Sequence, residues 1–171
     1  MAAVLEINTY HGAPTGAAGA DATSTTIRMK KADNNTQDAN DPVVIPAAGY
    51  NYSWRKSVKL QATTGPDNEI RNLRFYSEGQ SLGTGRTLLV NTDATYEQAS
   101  ASDESAAISA TDVDTHTTGS PLTITAGQVL GAAAPGTGTQ DFVELQLRVA
   151  STATQGNADN AKTLVYRYDE S

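Results

Sequence analysis

The sequence predicts an all-β protein, an antiparallel β-sandwich of jelly-roll type with an extended N-terminal arm and long Gly/Ala-rich loops. Apolar residues alternate with polar ones in short runs instead of recurring every three or four positions. Gly, Pro, Asn and Asp punctuate the chain between those runs. No segment repeats at the helical period for long enough to supply the crossovers of a parallel sheet. A length of 171 residues suits one domain with a sizeable core. The expected division is a strand and arm over 1–22 and a single sandwich over 23–171.

The first candidate strand is VLEINTY, residues 4–10, followed by the arm HGAPTGAAGADA at 11–22. Candidates TSTTIRMKK and PVVIP flank a second loop, ADNNTQDANDP at 32–42. In YSWRKSVKLQATT, Trp54, Val58, Leu60 and Ala62 share a face interrupted by Lys56, while Arg55, Ser57, Lys59 and Gln61 take the other. In EIRNLRFYS, Ile70 is out of phase with Leu73 and Phe75, which predicts a bulge near Arg71 and Asn72. RTLLVNT, TYEQ and LTITA are further candidates. The Ala- and Ser-rich stretch YEQASASDESAAIS has only Tyr96 and Ile108 to anchor a helical face, so it reads as a loop or one short helix. After the loop at 131–141, FVELQLRVA places Val143, Leu145, Leu147 and Val149 inward and Glu144, Gln146 and Arg148 outward. The polar segment STATQGNADNA then reads as the loop of a terminal hairpin pairing this strand with KTLVYRYDE, in which Leu164, Tyr166 and Tyr168 share a face.

Composition narrows the chemistry. Without cysteine there is no disulfide framework, thiol nucleophile or thiolate metal site. A net charge of -7 has the wrong sign for a general nucleic-acid or anionic-membrane binder, and neither partner is expected. No apolar run reaches the ~18 residues of a membrane-spanning helix. The start, MAAVLEINTYHG, lacks the features of a signal peptide, which suggests a soluble, unprocessed chain. The two histidines, His11 and His116, form no triad-like spacing with a serine and an acid, so no catalytic residues are assigned and no enzyme is expected. Asp112, Asp114 and His116 alternate in DVDTH and would line one face of a strand, making them weak candidates for a divalent cation. Asp33, Asp38 and Asp41 offer oxygen donors, though Asx-turns account for them better. SLGTGRT reads as a turn, since no helix follows to complete a phosphate cradle. No cofactor is expected.

Basic residues concentrate mid-chain. Arg55, Lys56, Lys59, Arg71, Arg74 and Arg86 interleave with Tyr50, Tyr52, Trp54, Phe75 and Tyr76. The strand phase turns Trp54 inward and Arg55 and Lys59 outward, which suits a contact with an acidic protein surface better than an oligonucleotide face. Arg55, Lys59, Arg71 and Arg74, with Tyr10 and His11 where the arm begins, form the expected partner-binding set.

Over PVVIPAAGYNYSWRKSVKL, EIRNLRFYSEG and the closing FVELQLRVASTATQGNADNAKTLVYRYDES, the sequence resembles virion structural proteins of tailed bacteriophages, in particular small β-sandwich capsid decoration or cement proteins. The features are the extended IPAAG entering an S-W-x-K strand, the NLRFYS strand followed by a Gly turn, and the ending YRYDE. The resemblance implies a non-enzymatic protein on the capsid surface of the virion. It would bridge subunits of the major capsid protein and contact copies of itself, with a trimer as one arrangement. The alternative is a tail- or fibre-associated module recognising host glycans, with Tyr10, Tyr50 and Tyr96 as candidate platforms.

Overall fold

The computed structural model describes residues 3–13, 26–36, 39–64, 69–124, 130–131, 138–154 and 161–170. They form an all-β structure of two antiparallel sheets. The strands are β1 (Val4–Tyr10), β2 (Tyr50–Tyr52), β3 (Lys56–Thr64), β4 (Glu69–Ser77), β5 (Arg86–Asp93), β6 (Thr111–Asp112), β7 (Leu122–Thr123), β8 (Leu130–Gly131), β9 (Phe142–Ala150) and β10 (Leu164–Glu170). The larger sheet runs β1-β3-β9-β5-β6, with β2 also on β9. The smaller runs β10-β4-β7, with β8 also on β4. Residues 14–22 of the expected arm, 132–137 of the Gly/Ala-rich loop, 155–160 of the last polar segment, and Asp38 lie outside the described residues.

The core lies between the sheets, where alternate residues of each strand meet. Val58, Leu60 and Ala62 of β3, Leu88 and Val90 of β5, and Val143 and Leu145 of β9 face Ile70, Leu73 and Phe75 of β4. Tyr166 of β10 meets Phe75 edge-on at 5.0 Å between ring centroids. The expected bulge is present. Arg167 pairs with Arg74 and Asp169 with Arg71, so Tyr168 alone spans Asn72 and Leu73. Asn72 takes a left-handed φ of 55°, which returns both Ile70 and Leu73 to the core. SLGTGRT is a turn, as expected.

The expected terminal hairpin is not formed. β9 pairs with β2 and β3 along one edge and β5 along the other, so neither edge is free for β10, which pairs with β4 in the opposite sheet. Consecutive strands β9 and β10 therefore belong to different sheets. TYEQ, PVVIP and the described part of TSTTIRMKK form no strand, and YEQASASDESAAIS contributes only a 3₁₀ turn at Ala101–Glu104. Ile27 and Met29 still pack against the core from irregular backbone.

The larger sheet is covered on its second face as well. Ser57, Glu144 and Gln146, expected to face water, are buried there beside Leu89, Ala99 and Ile108. Side-chain amides complete the hydrogen bonding. Gln146 Nε2 donates to the carbonyls of Ser53 (3.2 Å), Asp103 (3.0 Å) and Ala106 (3.2 Å), and its Oε1 accepts the Ile108 N–H at 2.9 Å. Where β3 runs past β9, Gln140 serves as a surrogate strand: Oε1 accepts the Leu60 N–H at 2.9 Å and Nε2 donates to the Leu60 carbonyl at 2.6 Å.

Lys56 occupies a core-facing position and is only 5% exposed. Its ammonium donates to the carbonyls of Ala32 and Asn34 in the segment 26–36. Burial pushes its pKa down to about 8, against the opposing pull of Asp33. The unfolded chain, with a lysine pKa near ~10.4, therefore holds a proton that the folded chain has released between those values. Stability should rise from pH 8 to pH 10. Lys59, also lowered by burial against Asp141, adds to the same slope. Urea unfolding across this range should show the rise, and Lys56→Met should reduce it. An unchanged slope in the variant would exclude Lys56 as its source.

Candidate partner-binding surface

The structure separates the expected partner-binding residues into two groups. Arg55 follows a one-residue bulge between β2 and β3, since three residues (53–55) span what two residues of β9 span. Ser53 anchors this bulge through its N–H to the Leu147 carbonyl (2.8 Å) and its hydroxyl, which accepts the Leu147 N–H (2.9 Å). The excursion sends Arg55 across the covered face instead of outward. Its Nε lies 3.0 Å from Asp103 Oδ1, and its Nη1 reaches Glu97 and, at 3.4 Å, Glu144. Burial pulls the guanidinium pKa down, but the hydrogen bond and charge of Asp103, with Glu144 and Glu97, outweigh it and raise it. Burial likewise lifts the Glu144 carboxyl above its usual range, helped by Asp93 and Glu97 and opposed by Arg55. Trp54 is half-buried, and its indole N–H donates to Glu104 at 2.8 Å.

Tyr10 and Lys59 are also engaged within the domain. Tyr10 meets Phe142 edge-on at 5.1 Å, Phe142 lies 5.7 Å from Tyr96, and Lys59 Nζ sits 3.8 Å from the Phe142 ring centre. Next to the half-buried His11, Gly12 receives the Tyr96 hydroxyl on its carbonyl (2.9 Å) and donates its N–H to Asp33 (2.8 Å). These contacts fasten the chain after β1 to the flank of the larger sheet.

Arg71, exposed, and Arg74, half-buried, lie on the outer face of the smaller sheet. Arg71 pairs with Glu69. Arg74 stands directly opposite Arg167 in the β4–β10 ladder. Both donate to carbonyl groups, Arg74 to Leu73 (3.0 Å) and Arg167 to Thr118 (3.5 Å), and neither has a carboxylate partner among the described residues. Two like charges in register destabilise a ladder unless an anion joins them. Arg167 was missed in the sequence because β10 was assigned to β9, which hid its juxtaposition with Arg74.

The weak cation candidates Asp112, Asp114 and His116 are not brought together as ligands. DVDTH begins on the last residue of β6 and continues as a 3₁₀ turn, Val113–Thr115, so its alternation does not align the three side chains. Asp112 caps that turn by accepting the Asp114 N–H (3.0 Å), and His116 Nε2 lies 2.8 Å from Thr111 Oγ1. Asp114 instead takes the Lys162 ammonium (2.6 Å) and the Ser77 hydroxyl (2.8 Å). Burial opposes ionisation of Asp114, but these hydrogen bonds hold its pKa below the usual range. Among the described residues no three His, Asp or Glu side chains are grouped to hold a metal. Asp33 is engaged by Gly12 and by Gln98 Nε2 (3.0 Å).

No family model, curated protein or solved structure matches the chain.

The two groups of arginines differ in the cost of removal. Losing one partner of a buried ionic network costs about 3–5 kcal/mol, whereas an exposed charge is worth about 0–1 kcal/mol. In urea unfolding, Arg55→Ala should lose stability in the first range and Arg74→Ala should stay within the second. Equal losses would contradict the assignment of Arg55 to the interior and Arg74 to a free surface.

Proposed function

We propose that this is a non-enzymatic virion structural protein of tailed bacteriophages that binds the outer capsid surface and cements neighbouring subunits of the major capsid protein. The observation that carries this reading is the Arg74–Arg167 pair, two arginines in register with no carboxylate partner among the described residues, in a chain with net charge -7. Such a site suits carboxylates on a partner protein, which arginine engages through its paired N–H donors. The covered opposite face gives the module rigidity. A protein that binds only the assembled shell stabilises that state by its binding free energy, multiplied over many copies.

The second reading, a tail or fibre module for host glycans, draws on Tyr50, which is 54% exposed. Co-sedimentation with undecorated heads and with assembled tails separates the two. Saturable binding to heads at a fixed ratio per capsid subunit is expected. The double variant Arg74→Glu and Arg167→Glu should bind on the order of tenfold more weakly or worse, and wild-type binding should weaken with salt. Binding only to tails, or to neither particle, would overturn the proposal. Salt-independent binding unaffected by the reversal would remove the arginine face from it.

A further inference from the structure

The chain contains six prolines, and only Pro42 follows an aspartate. An Asp–Pro bond is open to intramolecular acyl transfer. The aspartyl carboxyl can close a cyclic anhydride on its own carbonyl carbon, and the proline nitrogen, a tertiary amide without an N–H, leaves as a basic secondary amine.

The fold gives this bond an unusual setting. Asp41 has a left-handed φ of 54°, and among the described non-glycine residues only Asn72 shares such a value. The bulge in β4 accounts for Asn72, whereas Asp41 belongs to no strand. A following proline narrows the backbone choices of Asp41 further. Strained backbone of this kind persists where the surroundings hold it, and it gathers at functional sites. The contact that holds Asp41 is the Lys31 N–H, which donates to the Asp41 carbonyl at 2.7 Å. Lys31 is itself fixed on both sides. The Trp54 N–H donates to the Lys30 carbonyl at 3.1 Å, the Lys31 ammonium lies 2.5 Å from Glu104, and the Lys56 ammonium takes the carbonyls of Ala32 and Asn34. A donor fixed at this distance from a carbonyl oxygen stabilises negative charge that develops there. Asp41 is exposed, so water reaches the bond.

We propose that Asp41–Pro42 is a self-cleavage site, with the Asp41 carboxyl as nucleophile and the Lys31 N–H as the donor to the oxyanion. A carboxyl oxygen of Asp41 bonds to the Asp41 carbonyl carbon, and the charge that forms on the carbonyl oxygen is met by the Lys31 N–H. The carboxyl proton passes through water to the Pro42 nitrogen, the C–N bond breaks, and residue 41 is left as a cyclic anhydride. Water opens the anhydride to two carboxyl groups, so the net reaction is hydrolysis of one peptide bond. The pieces stay associated in the native state, because all of β1 pairs with β3 and Lys56 holds the segment around Ala32 and Asn34. The cut frees one end of PVVIPAAGY, an uncharged run in which Val44 (55%) and Ile45 (36%) are exposed. This inference stands independently of the capsid reading.

The test incubates the purified chain at about pH 5, where a small share of aspartyl carboxyls is protonated, beside a synthetic peptide of residues 36–47. Denaturation and mass spectrometry then read the products. The chain should yield fragments 1–41 and 42–171 on the order of tenfold faster than the peptide is cut, since only the fold supplies the Lys31 donor. Asp41→Ala should stay intact. Lys31→Pro, which removes the N–H and leaves Asp41 in place, should fall to the rate of the peptide while keeping its circular dichroism. If that variant fails to fold, the comparison of chain with peptide decides alone. A chain that stays intact or is cut no faster than the peptide overturns the proposal. Cutting of Asp41→Ala at the same bond also overturns it, since that marks a contaminating protease.

Discussion

β9 is buried on both faces, and the rest of the larger sheet is arranged around that constraint. Its inner face supplies Val143 and Leu145 to the core, while its outer face carries Glu144 and Gln146 at positions that water does not reach. A buried amide or carboxylate without partners would cost more than an ordinary hydrogen bond returns. The segment running from Glu97 to Ile108 satisfies both. It brings backbone carbonyls and an N–H to Gln146, and its Asp103 joins Arg55, which also reaches Glu144. The bulge at Ser53–Arg55 is part of the same solution, since it turns Arg55 towards the carboxylates.

This closure gives the sandwich two unlike exteriors. The larger sheet is sealed by the segment 96–110 and by contacts through Gly12, Asp33 and Tyr96, so its basic and aromatic residues are spent internally. The smaller sheet has no comparable cover among the described residues, and its β4–β10 ladder sets Arg74 against Arg167. The module thus has one closed side and one side on which two arginines stand in register among the carboxylates of Glu69, Asp169 and Glu170.

Strand identity was legible wherever one face met the core and the other carried polar groups. Val58, Leu60 and Ala62 followed their alternation, and the phase break in EIRNLRFYS located the bulge at Asn72 correctly. Two things were not legible. Alternation marks polar positions but cannot tell whether water or another segment lies over them, so Arg55, Glu144 and Gln146 were expected outside. Nor does it reveal pairing partners: β9 and β10 are consecutive strands and invited a hairpin, whereas the neighbours of β9 come from distant parts of the chain. For the partner surface, Arg71 and Arg74 were in the expected set, but Arg55, Lys59 and Tyr10 make their contacts within the domain. PVVIP at 42–46 was read as a strand, although its flanking prolines already argued against a ladder.

The central claim is that this sandwich attaches to an assembled shell through its smaller sheet. Electron cryomicroscopy of undecorated phage heads incubated with the protein tests it most directly. The account predicts added density at fixed lattice positions, with β4 and β10 turned towards the shell and Arg74 and Arg167 near acidic residues of the capsid subunit. Bare heads, or density in which the larger sheet faces the shell, would contradict it.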